Sequence, residues 1–214
     1  MIRFDRPMQR LAIALAFLAG YVDALGFLTT SGFFVSFMSG NSTRLAVGIA
    51  SDRSDATAAA ILILCFVAGV GGGAIVGAAA GRWQSSAILI LVAMLLAVAA
   101  IMVGQSALGA AGLLALAMGA ENTVLEREGE APLGLTYMTG SLVRIGFGLA
   151  GLVTGRRYPG WGSYALLWLG LVVGAVTGAW LFPMLQQDAI WLGSGAALAM
   201  ALLIAVMRRD AQGA

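Results

Sequence analysis

The stretch Phe33-Phe34-Val35-Ser36-Phe37-Met38-Ser39-Gly40-Asn41-Ser42-Thr43-Arg44 breaks an otherwise oily run with six consecutive small, polar or charged residues, Ser39 to Arg44. A helix buried in hydrocarbon carries such a run only for a reason, because each polar group there needs a partner. The second half of the chain holds a counterpart. Tyr137-Met138-Thr139-Gly140-Ser141-Leu142-Val143-Arg144 matches Phe37 to Arg44 at a separation of 100 residues (144 − 44). Recurrence at a fixed spacing predicts an internal duplication. One copy covers about 9–104 and the other about 107–207 of a single membrane domain, 1–214.

Composition sets the class. Of 214 residues, 60% are hydrophobic and 10% charged, whereas soluble domains carry roughly 25% charged residues, and the mean hydropathy is +0.94. An all-α integral membrane protein is expected. The net charge of +2 comes from arginines at segment ends rather than from a basic face, which argues against a nucleic-acid partner. All twelve basic residues are Arg, with no Lys and no His. That removes Ser-His and Cys-His nucleophiles, His-containing metal sites, Schiff-base lysines and P-loops. The single cysteine, Cys65, sits in an apolar run and reads as a packing residue. No cofactor, no metal and no enzymatic activity are expected.

Eight hydrophobic segments follow in order: 11–28, 32–50, 58–80, 86–104, 107–125, 133–154, 163–182 and 189–207. Most lie near the roughly 20 residues that span a bilayer. The short connections at Thr29 to Ser31 and Gln105-Ser106 suit re-entrant or broken helices, so six to eight spans are expected. The polar arm Met1 to Arg10 resembles the start of a signal peptide, but the apolar run after it continues into the next segment without a cleavage site. With eight spans, Arg3, Arg6, Arg10, Arg53, Arg156, Arg157, Arg208 and Arg209 gather on one side. Arg82 and Arg127, the latter among Glu126, Glu128 and Glu130, fall on the other. The bias predicts cytoplasmic N- and C-termini in a bacterial cytoplasmic membrane. Trp83, Tyr158, Trp161 and Trp191 fall at segment ends, where amphipathic rings favour the interface.

Gly69, Gly73 and Gly77 of the third segment recur as Gly170, Gly174 and Gly178 of the seventh, at a separation of 101 residues (178 − 77). Small residues every fourth position let helix backbones approach closely in lipid, so these six are expected to line packing seams. Four spans per copy would give copies of the same orientation, and one re-entrant helix in each would give an inverted pair. A glycine seam facing lipid would also suit a homodimer.

Asp23 lies roughly 18 Å along the first helix from Leu11, and Arg44 roughly 9 Å from the end of the second at Ala50. An ionisable group at such depth costs on the order of 3 kcal/mol and should face a cavity or a partner. Arg44 is the expected partner of Asp23, and Arg144 of Glu121, which occupies the corresponding place of the second copy beside Asn122. Gly40 and Gly140 are expected to permit local unwinding, with Ser39, Asn41, Thr139 and Ser141 adding polar ligands. Buried ion pairs that only fix helix register, with Ser39, Ser42, Thr43 and Thr139 bonding their own helices, are the alternative.

At these residues the chain resembles the YoaK family of bacterial multi-pass membrane proteins, grouped under a domain of unknown function. Its first-half pattern, Gly-Tyr-x-Asp-Ala-x-Gly-Phe followed by Phe-x-Ser-x-Met-Ser/Thr-Gly-Asn, is matched by Gly20 to Phe27 and Phe34 to Asn41. Its second-half pattern, Gly-x-Gln-Asn-Ala followed by Thr-Tyr-Met-Thr-Gly, is matched by Gly119 to Thr123 and Thr136 to Gly140, except that Glu121 takes a Gln position and Thr123 an Ala position. The resemblance spans nearly the whole chain and implies a multi-pass membrane protein, with transport the activity commonly suggested. A small secondary transporter or exporter of a polar or charged solute is the leading expectation. A non-catalytic membrane scaffold or assembly protein is the alternative, and an intramembrane enzyme using Asp23 and Glu121 the third. The expected partners are the lipid bilayer and an unidentified small solute or ion.

Overall fold

The computed structural model describes residues 6–51, 53–126, 136 and 138–213, apart from the side chains of 53, 54 and 209–213. Arg3, Arg127, Glu128, Glu130 and Tyr137 lie outside that set, as does the side chain of Arg209. Eight α-helices form among the described residues: α1 (Arg6–Thr29), α2 (Met38–Ser51), α3 (Arg53–Ala80), α4 (Gln84–Met102), α5 (Ala107–Glu121), α6 (Met138–Thr154), α7 (Trp161–Leu185) and α8 (Ala189–Gly213). Among these residues there is no strand.

Three helical runs are long and apolar enough to cross a membrane: Arg6–Thr29, Asp55–Met102 and Trp161–Arg208. Each of the last two is 48 residues long, which as a straight helix would extend about 72 Å, more than twice the hydrocarbon thickness. Both fold back instead at 3-10 turns, Gly81–Trp83 between α3 and α4 and Gln186–Asp188 between α7 and α8. Gly81 and Gln186 take positive φ at these bends, 52° and 49°.

Glycine contacts set the direction of each helix. On α7, Gly170 faces Ile13 of α1, Gly174 faces Phe17 and Gly178 faces Tyr21, so the two helices run parallel. On α3, Gly69 faces Leu116 of α5, and Gly73 faces Ala120 and Thr123, so these two also run parallel. At five positions along these crossings, Gly20, Gly69, Gly119, Gly174 and Gly178, a Cβ would collide with a carbonyl oxygen of the facing helix. Small residues there permit backbone contact, including Cα-H to carbonyl approaches. The contacts align Gly69 with Gly174 and Gly73 with Gly178, a separation of 105 (174 − 69) rather than the 101 read from spacing alone. Gly77 instead faces Gln84 and Ile88 of α4. A run of glycines at every fourth position fits itself at several shifts, and only the facing helix selects one.

The remaining helices complete an antiparallel arrangement. Gln84 and Ser85 at the start of α4 donate to the carbonyls of Thr123 and Val124, just past the end of α5. Tyr21 of α1 donates to the Ala189 carbonyl at the start of α8, and the Ser194 hydroxyl of α8 donates to the Ala93 carbonyl of α4 at 2.8 Å. Ser85 meanwhile shares a cavity with Pro7 of α1 and Arg208 of α8. Helices α1, α4 and α7 therefore run one way, and α3, α5 and α8 the other.

Helices α1 and α3 therefore run in opposite directions, whereas eight successive spans would have them run the same way. Helix α2 has 14 residues and α6 has 17, and a chain that climbs α1, breaks, and then enters α2 reaches α3 on the side where α1 ended. Arg82 thus lies at the same end of the bundle as Arg6, Arg10, Arg156, Arg157 and Arg208, while α3 starts with Arg53 at the opposite end. The outer surface is oily, with Ile75 72% and Val153 88% exposed, as suits a lipid surround.

Replacing Gly69 or Gly174 by Leu is expected to lower stability in detergent by about 2–3 kcal/mol through overpacking of the crossing. Gly72→Ala, where the added carbon meets nothing within 4 Å, is expected to be neutral. Thermal unfolding of the three variants checks this, and equal loss in all of them would contradict the seam.

Candidate polar site

Between α1 and α2 the backbone leaves the helix, with Ser31 and Gly32 at φ 56° and 123°. Non-helical backbone at membrane depth survives only where protein groups satisfy it, and here every amide from Gly32 to Ser36 has an acceptor. The amide of Gly32 donates to the Phe27 carbonyl at 2.8 Å, and that of Phe33 to the Thr30 hydroxyl at 3.0 Å. Phe34 donates to Asn41 Oδ1 at 3.1 Å and accepts from Asn41 Nδ2 at 2.6 Å. Val35 and Ser36 both donate to Asp23 Oδ1, at 2.8 and 2.7 Å. Asp23 and Asn41 are thus brought together on one extended strip of chain, Asn41 fully buried and Asp23 partly.

Several expected partnerships are replaced. Arg44 does not pair with Asp23; its guanidinium lies over the Phe33 ring at 4.7 Å and 3.8 Å from Asp55 at the start of α3. The amides had already claimed the carboxylate, and Arg44 stands on the outward part of α2. Arg144 likewise lies over the Tyr164 ring at 4.6 Å rather than beside Glu121. Gly40 and Gly140 are helical, within the first turns of α2 and α6; the break falls before them, at Thr30 to Phe37. Ser39, Thr139 and Gly140 are exposed. Ser42 and Thr43 donate to the carbonyls of Met38 and Ser39 in their own helix. Ser141 is buried on α6, as Asn41 is on α2.

A second polar contact has related geometry. The Thr136 hydroxyl donates to Asn122 Oδ1 at 3.4 Å, while Asn122 Nδ2 donates to the Met118 carbonyl. The glycine contacts set Phe17 opposite Gly174 as Leu116 is opposite Gly69, and Tyr21 opposite Gly178 as Ala120 is opposite Gly73, a separation of 99 (120 − 21), and Asn122 stands at that separation from Asp23. Ser36 and Thr136, 100 residues apart, complete the two contacts; both are buried, and neither was singled out in the sequence, although their spacing equals that of the neighbouring motif. Because α1 and α5 run oppositely and each carries its polar residue toward its C-terminal end, Asp23 and Glu121 stand on opposite sides of the bundle's middle.

Glu121 is fully buried, and neither carboxyl oxygen has a hydrogen-bond partner; Ser86 of α4 has an unpartnered hydroxyl as well. Among the described residues no cluster of His, Cys, Asp or Glu is placed to hold a metal ion.

Comparison with known proteins agrees with the helical, apolar character of the chain. A family model described as "Protein of unknown function (DUF1275)" matches residues 11–203. The chain belongs to the DUF1275 family. A relative from Rhizobium meliloti (strain 1021), described as UPF0700 transmembrane protein RA0705, is 40% identical over 189 residues, covering 88% of this chain and 82% of the relative. No solved structure matches. This DUF1275 member is, by its long apolar helices and its named relative, a membrane protein.

Asp23→Ala is expected to cost about 2–4 kcal/mol, since it strips two charge-assisted hydrogen bonds from the break. Asp23→Asn, which keeps an acceptor oxygen, is expected to cost less. Glu121→Gln is expected to leave thermal stability about equal, because the carboxyl makes no hydrogen bond that the isosteric amide would lose. Thermal unfolding in detergent separates the three, and a large loss for Glu121→Gln would reveal a partner at that carboxyl.

Proposed function

We propose that this DUF1275 protein is a small secondary transporter or exporter in a bacterial cytoplasmic membrane, built from two inverted copies of about one hundred residues. The observation that carries the reading is that α1, α3 and α4 run opposite to α5, α7 and α8 respectively, and that each copy sets an Asx residue against a residue just before its short helix, Asp23 with the Ser36 amide and Asn122 with the Thr136 hydroxyl. Inverted repeats with interrupted helices place a solute site between the copies, and rocking one copy against the other alternates access to it. Asp23, Asn41, Asn122, Ser141 and Glu121 supply the polar groups from which such a site would be assembled, for a small polar or charged solute.

In this reading six helices cross, α1, α3, α4, α5, α7 and α8, while α2 and α6 enter and leave on one side. The end bearing Arg6, Arg10, Arg82, Arg156, Arg157 and Arg208 faces the cytoplasm, along with both termini, because cytoplasmic flanks collect arginine. A scaffold role is the second reading, favoured by one observation: Asp23 and Asn41 already spend their hydrogen bonds on backbone.

Single cysteines at Ser51, Arg82 and Arg156, in a Cys65→Ala background, test the topology with an impermeant thiol reagent. Arg82→Cys and Arg156→Cys are expected to label from the cytoplasmic face and Ser51→Cys from the other; eight spans would place Ser51 with Arg156 and against Arg82. A thermal-shift screen against metabolites and ions at two pH values tests the activity. Stabilisation by one solute class that is lost in Asn122→Ala, with the variant still folded, is expected. Binding by no class, with Asp23→Asn and Asn122→Ala merely less stable, would favour the scaffold.

A further inference from the structure

Helices α1 and α8 meet at one end and part at the other. At the first, the Tyr21 hydroxyl donates to the Ala189 carbonyl at 2.6 Å, and Gly193 faces the Tyr21 and Val22 side chains. Toward the start of α1 and the end of α8 the two helices diverge, and two cavities open side by side. One, of about 530 Å³, is walled by Met8 and Leu11 of α1 and Ile204 and Met207 of α8, with Arg10 and Arg208 on its lining. The other, of about 600 Å³, lies toward α7 among Ile13, Phe17, Leu169 and Val173, and also reaches Arg10. Ala14 and Met200 line both, forming a low ridge between them.

The chemistry of these clefts is that of an amphiphile. The wall of the first is mostly apolar and that of the second almost wholly so, and the second runs along α1 from Arg10 to Leu18, about 12 Å of helix. At the mouth stand two guanidiniums, and among the described residues neither makes an ion pair or hydrogen bond. A cation without a counter-ion beside an oily cleft at a bilayer surface matches a negatively charged headgroup, and basic pockets between membrane helices are known to select anionic lipid. Arginine adds a planar fork suited to two phosphate oxygens.

We infer that the paired cavities hold one anionic phospholipid of the bilayer, its phosphate between Arg10 and Arg208 and its two acyl chains on either side of the Ala14 and Met200 ridge. The lipid fills the gap where α1 and α8 diverge, and so stabilises this separation of the two helices. The site is independent of whether the protein moves a solute.

Native mass spectrometry and thermal shift of the full chain in detergent, with phosphatidylglycerol and phosphatidylcholine of identical chains, test the site. Phosphatidylglycerol is expected to bind more tightly. Each of Arg10→Gln and Arg208→Gln should weaken its binding by about fivefold, and the double variant by about thirtyfold, with phosphatidylcholine unaffected. Ala14→Phe, which fills the clefts and keeps both arginines, should also abolish retention of phosphatidylglycerol. Inorganic phosphate alone should not stabilise the protein. Equal binding of the two lipids, a preference that survives in both single arginine variants, or stabilisation by inorganic phosphate matching that by phosphatidylglycerol would overturn the inference. Arg10 is exposed, so its substitution leaves the core untouched.

Discussion

Two hydrogen bonds from the amides of Val35 and Ser36 to one oxygen of Asp23 determine the shape of this molecule. In hydrocarbon a helix is the default because it satisfies every backbone group internally, and a chain that leaves the helix must find those bonds elsewhere. Asp23, Asn41 and Thr30 supply them between α1 and α2, so the chain turns there. Helix α3 therefore starts on the side where α1 ended.

The reversal makes the glycine seams intelligible. Helix α1 lies along α7 and α5 along α3, so each of these seams joins a helix from one half of the chain to a helix from the other. Neither half has these close crossings by itself. Packing in lipid gains little from excluding water, because lipid tails are as apolar as the side chains they replace, and close backbone approach supplies dispersion contacts instead. Bulk at Gly69 or Gly174 would push apart two halves rather than two neighbours in sequence.

The polar residues divide into two groups under this geometry. Asp23, Asn41, Asn122 and Thr136 are occupied with backbone or with one another, whereas Arg44 and Arg144 lie outside on aromatic rings. Glu121 belongs to neither group, being buried without a donor to either oxygen. It occupies a position where the resembling family pattern has Gln, a side chain of the same shape that carries no charge.

The sequence by itself determined the membrane character, the helical class, the importance of the Phe33 to Arg44 stretch and its recurrence one hundred residues later. These depend on composition and local spacing, which hydrophobic burial and the backbone's hydrogen-bonding needs translate directly into structure. Asp23 and Asn41 stood out in the sequence because ionisable and amide groups at that depth must bond to something. What they bond to was decided only in three dimensions. An arginine seven residues before the end of its helix looks within reach of Asp23, but nearby amides reach the carboxylate first, and this competition depends on how the chain turns at Ser31 and Gly32. The glycine register and the direction of each helix were hidden for a related reason. A four-residue spacing repeats at every turn, so only the bulk of the facing helix, Phe17 against Gly174 and Leu116 against Gly69, selects which turn meets which.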